Sequence, residues 1–291
     1  MPIAAAGSLV VADRRVPRLG YGTMRLTGPR IFGPPADPEE AKRVLRRAVE
    51  LGVRVIDTAW YYGPDVADEL LAEALHPYPE DLVVITKLGG ARGPDASWVP
   101  ALRPEELRAG AERDLRLLRL DTVPVAHLRW LEGSGVGFTE ALDALLELVR
   151  DGLVQRVGLS NVDAAQLDAA LERTPVASVS NAYSVLDRTH EDLLARCERE
   201  GIPFLPFFPL GASPVRSGSG VDADERVSEL AARAGVSRTQ LALAWLLHRS
   251  PVLLPIPGTS SVAHLEENLA AADVELDAGV LAELDALTPP G

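Results

Sequence analysis

Short apolar runs alternate along the chain with longer segments whose apolar positions recur at helical spacing. Eight runs rich in valine, isoleucine and leucine stand out, at residues 18–22, 54–58, 82–87, 122–127, 154–160, 177–180, 203–207 and 252–255. They show almost no polar alternation, as expected of parallel strands covered on both faces. Amphipathic stretches separate them, at 38–51, 66–75, 104–118, 138–150, 164–173, 191–200 and 237–249. Asp37 before Pro38, Glu39 and Glu40 is a helix start signal, and Ser237 with Gln240 has the spacing of a capping box. Gly52, Gly152 and Gly201 follow three of the helices, where a left-handed residue closes the last turn.

Strand followed by helix, repeated, predicts an α/β fold, a (β/α)₈ TIM barrel, over an open doubly wound sheet. Residues 9–11 and 15–16 around Ala12-Asp13-Arg14 predict an N-terminal β-hairpin closing the bottom of the barrel. Stretches 262–272 and 278–287 after the eighth strand predict an extra C-terminal helix. No linker or repeat divides residues 1–291, so one domain is expected, with the Gly/Ser loop 216–220 as its most flexible part.

Charge narrows the partners. With 29 Lys plus Arg against 42 Asp plus Glu, the net charge is −13. Nucleic acid and an anionic membrane are therefore not expected as partners, though a local basic pocket for a phosphate remains open. The single cysteine, Cys197, permits no intrachain disulfide and reads as a helix residue without chemistry in a reducing compartment. No apolar run reaches membrane-spanning length and the start lacks a basic leader, so a cytoplasmic monomer or weak homo-oligomer is expected. The five histidines show no metal-ligand spacing, and no metal is expected.

Only Lys42 and Lys87 among those 29 cations are lysine. Lys42 sits on a charged helix, whereas Lys87 ends an apolar run, where a charge is costly. A lysine kept there points to chemistry that arginine cannot supply. Residues at the carboxyl ends of barrel strands converge on one mouth. Asp57, Lys87 and His127 end strands two, three and four, and Tyr62 follows Asp57 in the next loop beside Tyr61.

Such a set suits carbonyl reduction. A phenol can protonate the developing alkoxide, but its ordinary pKa near 10 is high, and a nearby ammonium favours its ionised form. Asp57 would hold the ammonium of Lys87, and His127 would orient the substrate oxygen. A Schiff-base lyase using Lys87 is the competing chemistry, although Asp57 would raise a pKa that such a lyase needs lowered. Gly20-Tyr21-Gly22 lacks the third glycine of a dinucleotide fingerprint.

These motifs resemble the aldo-keto reductase superfamily nearly end to end. Asp57-Thr58-Ala59-Trp60-Tyr61-Tyr62-Gly63 is similar to the family's aspartate-to-tyrosine motif and selects Tyr62 over Tyr61 as proton donor. Lys87 and His127 match the family lysine and histidine. The resemblance implies NADPH, with NADH not excluded, and a small-molecule carbonyl substrate. By the same resemblance Ser160 and Asn161 hold the nicotinamide carboxamide, and the segment FLPFFPLG stacks on the nicotinamide and covers the pyrophosphate, through Phe207, Phe208, Leu210 and Gly211. Gly22, Thr23 and Met24 join the cofactor set. Gly258, Thr259, Ser260, His264, Glu267 and Asn268 surround the adenosine 2′-phosphate.

Three positions depart from the family pattern. Ser180 replaces a glutamine, Phe207 replaces a stacking tyrosine, and Gly258 with His264 replaces lysine and arginine near the 2′-phosphate. Segments 31–35, 95–98 and 207–210 look closest to a bacterial branch containing pyridoxal reductases, which makes pyridoxal the leading substrate. Phe32, Trp60, Trp98 and Trp130 in loops after strands would line a flat aromatic pocket. A cofactor-binding redox sensor with little turnover is the remaining alternative.

Overall fold

The structure, a computed structural model, describes residues 3–211 and 220–288. Six strands form one parallel sheet in the order β10-β9-β8-β5-β4-β3. They are β3 (Tyr21–Gly22), β4 (Val55–Asp57), β5 (Val83–Leu88), β8 (Val123–Arg129), β9 (Val154–Ser160) and β10 (Val176–Ser180). The seventh and eighth predicted strands shrink to isolated bridges, Phe204 to Val179 on one side and to Leu253 on the other, and Phe207 to Ala182. The cause lies in Pro203, Pro206, Pro251 and Pro255, which have no N–H to offer a ladder. The ring still closes, because the Gly20 N–H donates to the Pro255 carbonyl at 2.9 Å.

Helices α1 (Pro38–Glu50), α2 (Val66–Leu75), α3 (Pro104–Leu118), α4 (Phe138–Arg150), α5 (Ala164–Leu171) and α6 (Glu191–Glu200) wrap the outside. They are followed by α7 (Glu225–Ala234), α8 (Arg238–Arg249), α9 (Val262–Ala270) and α10 (Ala278–Leu287). The caps act as read from the sequence. Asp37 accepts from the Glu40 N–H, the Ser237–Gln240 capping box forms, and Gly52, Gly152 and Gly201 all have positive φ. The pattern reading passed over α7, although Asp224 caps its start and Gly235 its end. It also missed a small hairpin beyond the third strand, β6 (Gly90–Arg92) with β7 (Trp98–Pro100). Residues 216–219 of the Gly/Ser loop lie outside the described residues.

The N-terminal hairpin, β1 (Ser8–Val11) with β2 (Arg14–Pro17), turns through Ala12 and Asp13, both at positive φ. Its Val11 and Val16 join Val55, Val83, Ile85, Val125, Leu205, Leu254 and Ile256 in a buried cluster that fills the barrel interior. Side chains alternate along a strand, so the same inward column continues upward from Val55 to Asp57, from Ile85 to Lys87, and from Val125 to His127 and Arg129. A hydrophobic floor thus carries an ionic layer toward the mouth. Among the described residues, no helix is long and apolar enough to cross a membrane.

Candidate active site

Asp57, Tyr62, Lys87 and Arg129 line a cavity of about 380 Å³ at the carboxyl ends of the strands. The Lys87 ammonium donates to Asp57 Oδ1, and both side chains are almost wholly buried. Burial alone would lower the Lys87 pKa, but the Asp57 carboxylate and the two neighbouring phenols outweigh it and hold the ammonium charged. Burial pushes Asp57 upward against the pull of that ammonium. Lys87 Nζ stands 5.1 Å from the centroid of the Tyr62 ring. Tyr62 reaches the cavity, whereas Tyr61 is sealed beneath it and burial pushes its phenol up.

His127 is fully buried and absent from the cavity wall. Its Nε2 pairs with Ser178 Oγ at 2.7 Å, and the ring lies so close to Gly158 that a Cβ there would come within 2.0 Å of it. Burial, then the charge of Lys87, holds its pKa well below the usual histidine value. The expected contact between His127 and a substrate oxygen is therefore not what the structure places here. Arg129 shares the inward face two residues nearer the mouth and lines the cavity.

The aromatic expectations divide. Trp98 lines the cavity. Trp130 follows Arg129, so alternation turns it outward onto Phe138 of α4, at 5.6 Å between ring centroids. Trp60 packs edge-on to Tyr61, under Arg113, and its backbone N–H donates to Asp114 Oδ1 of α3. Phe32 is 37% exposed; the positive φ of Arg30 and Ile31 turns it out and brings Ile31 to the cavity instead. Arg92 joins the two covers of this side, donating to the carbonyls of Arg30 and Ile31 while its guanidinium lies 4.2 Å from the Trp98 ring centroid.

Gly22, Met24, Ser160, Asn161, Phe207, Phe208, Leu210 and Gly258 of the expected cofactor set line the cavity. Asn161 sits at φ 60°, its N–H held by the Ser180 carbonyl. Thr23 lies behind the wall and donates to Thr58 Oγ1 at 2.8 Å. Ser180 is fully buried and its hydroxyl has no partner among the described residues. Gly211 follows Leu210 at positive φ. Thr259 is buried, and its carbonyl accepts from the Tyr21 hydroxyl. Ser260 and His264 are exposed near the start of α9, with Glu267 and Asn268 further along it. There the Val262 N–H donates to Glu40 Oε1 at 3.3 Å, and Arg43 holds that carboxylate.

The sequence reading missed Arg129 and Arg25. With Lys87 they give this cavity three cations against the one carboxylate of Asp57, in a protein of net charge −13. Cys197 is buried, which pushes its thiol up to about 12, and it plays no part here. Among the described residues no cluster of ligands suits a metal ion.

Behind the wall, Asp68 and Asp114 form a second buried pair. Asp68 Oδ1 accepts from the Thr58 hydroxyl at 2.6 Å and Asp114 Oδ1 from the Trp60 N–H. Neither Oδ2 finds a protein donor among the described residues, and the charge of Asp68 beside Asp114 favours a proton shared between them. Burial, ahead of other causes, pushes Asp68 to about 6 and Asp114 well above the usual carboxylate range. The folded state then binds more protons than the unfolded chain, and the pair's contribution to stability is lost as pH rises from about 4 through the folded pKa. Asp114→Asn keeps an acceptor for Trp60 and offers Asp68 a donor. It is expected to raise stability at pH 8 by roughly 1–3 kcal/mol and to flatten the decline between pH 5 and 8. Urea unfolding at both pH values measures this, and an unchanged slope would exclude the shared proton.

A phenol meeting an ion-paired ammonium at the mouth of a (β/α)₈ barrel is an arrangement built to protonate a reduced carbonyl. The chain belongs to the aldo/keto reductase family, matched over residues 18–289. It is 43% identical over 290 residues to pyridoxine 4-dehydrogenase of Escherichia coli K12, covering 98% of this chain and 99% of that protein. An aldo-keto reductase of Klebsiella pneumoniae, solved in complex with NADPH, matches with TM-score 0.78 at 28% identity, over 98% of this chain and 95% of that one. A thermostable aldo-keto reductase bound to the inhibitor epalrestat matches with TM-score 0.81 at 29% identity, over 97% and 99%.

Proposed function

We propose that this protein reduces the carbonyl group of small, flat aldehydes, pyridoxal foremost, with hydride from NADPH and the proton from Tyr62. The observation that carries this reading is the buried Lys87–Asp57 pair 5.1 Å below the Tyr62 ring, open to a cavity that Ser160, Asn161 and Phe207 share. Likeness to a pyridoxine 4-dehydrogenase and to a reductase that binds NADPH supports both halves of it.

The residues present fit the cofactor. Ser160 and Asn161 offer a hydroxyl and an amide on one wall, and Phe207 and Phe208 supply faces for stacking. The orphaned hydroxyl of Ser180 lies behind Asn161. Three cations against one carboxylate suit an anionic dinucleotide. Near the 2′-phosphate segment, Ser260 and His264 are the open groups, because Glu40 already accepts the first N–H of α9.

NADPH, when bound, supplies the hydride for the carbonyl carbon. Tyr62 receives the carbonyl oxygen and passes its phenolic proton to it as the alkoxide forms. The Lys87 ammonium stabilises the negative charge left on the phenol, and Asp57 keeps that ammonium charged and in place. His127 acts as a neutral support of this layer rather than as a donor to substrate. The raised pKa of Lys87 also argues against a Schiff-base role, which needs a free amine. One domain over 1–291, working in the cytoplasm as a monomer or weak homo-oligomer, is the setting of this reading.

The test is purified protein with NADPH or NADH and either pyridoxal or a panel of aryl aldehydes, following loss of cofactor absorbance. Aldehyde-dependent oxidation of NADPH is expected. Tight NADPH binding with no turnover on the whole panel would replace the reductase with a redox sensor.

A further inference from the structure

Arg129 occupies an unusual position. It ends β8, lines the cavity, and is ion-paired to none of the described carboxylates. Its guanidinium lies against two rings instead, 4.6 Å from the centroid of Trp98 and 5.5 Å from that of Tyr61. Arg92 reaches Trp98 too but spends its hydrogen bonds on backbone carbonyls, donating to Ile31, Arg30 and Ala96. Among the described residues Arg129 has no such carbonyl acceptor, and the Tyr61 hydroxyl is its side-chain partner. Burial works against its charge, yet the phenols of Tyr61 and Tyr62 and the Asp57 carboxylate keep it firmly protonated. A half-buried guanidinium packed against two rings, with donors left beyond its contact with the Tyr61 hydroxyl, is a preformed receptor for an oxyanion.

We propose that Arg129 selects substrates carrying an ionised oxygen next to the reacting carbonyl on a flat ring, such as the hydroxyl ortho to the aldehyde of a 3-hydroxypyridine. The inference rests on the reductase reading and sharpens its substrate class. A carbonyl oxygen placed at Tyr62 leaves its nearest ring substituents in the cavity that Arg129 also lines. The Lys87–Asp57 pair is neutral overall, so Arg129 leaves this part of the cavity with one net positive charge for the oxyanion to meet. The Trp98 ring, edge-on to Tyr62 at 6.4 Å, also lines the cavity and gives this wall an aromatic surface for a planar guest. The acceptor accepts from the guanidinium in two parallel N–H bonds or one, and no bond to the substrate is made or broken by Arg129.

Reduction of 3-hydroxypyridine-4-carbaldehyde and of pyridine-4-carbaldehyde by the wild type, Arg129→Met and Arg129→Lys tests this. The ratio of kcat/KM for the hydroxylated over the plain aldehyde is expected to fall about 10- to 100-fold in Arg129→Met, mainly through KM, and to recover in part in Arg129→Lys. Equal losses on both aldehydes, or an unchanged ratio, would overturn the assignment. Equilibrium binding of 3-hydroxypyridine against pyridine to the NADPH-loaded protein reads the same preference without turnover. A preference that Arg129→Met abolishes supports the inference even if neither aldehyde is reduced, an outcome that would count against the reductase reading alone. Circular dichroism of both variants separates a lost contact from a lost fold.

Discussion

Tyr62→Phe is expected to lower kcat by about 10²- to 10⁴-fold, the usual contribution of a positioned general acid, while cofactor affinity stays near the wild-type value. The substitution deletes one oxygen and keeps the ring, so the edge contacts with Tyr61 at 5.4 Å and Trp98 at 6.4 Å survive. Single-turnover reduction under saturating NADPH isolates the chemical step. A variant that keeps more than about a tenth of the wild-type rate would remove Tyr62 from the role of acid. Tyr61→Phe is the companion control, because that phenol is sealed from the cavity and its loss should touch packing more than rate.

Asp57→Asn carries the largest expected cost in stability. It leaves the Lys87 ammonium buried beside a neutral amide, with only the Thr58 carbonyl at 3.4 Å as a further acceptor. Breaking a buried pair by removing one partner costs about 3–5 kcal/mol, since the remaining charge has lost its counterweight. Urea denaturation gives the measurement. The double variant Asp57→Asn, Lys87→Met should regain much of that loss while staying inactive, because neither charge is then stranded. A single variant as stable as the wild type would show that the pair does not hold its charges as described.

The barrel was legible in the sequence because parallel strands buried on both faces and amphipathic helices leave unlike patterns. Caps such as Asp37 and Ser237 even fixed the helix starts. Strands seven and eight were over-read, since apolar content registers in a sequence while the missing N–H of Pro203, Pro206 and Pro251 registers only when partners are counted. Helix α7 was under-read although Asp224 and Gly235 bracket it, because its polar face dominates the short segment.

In the candidate site, the strand-end rule found Asp57 and Lys87. It failed for His127 and Arg129 by stopping one layer short. The run continues past His127 to Arg129, and two-residue spacing places both on one face with the arginine outermost. That signal was present in HLRW. Trp130 could have been turned away from the pocket by the same parity. No pattern would have revealed the outward turn of Phe32, which depends on left-handed backbone at Arg30 and Ile31.

The valine stopper that the first hairpin drives into the base of the barrel has a kinetic consequence. A vessel plugged below by Val11 and Val16 is closed at its base, so two guests that must touch inside it and that share the mouth cannot arrive or depart in arbitrary order. Whichever sits deeper along the common passage has to enter first and leave last.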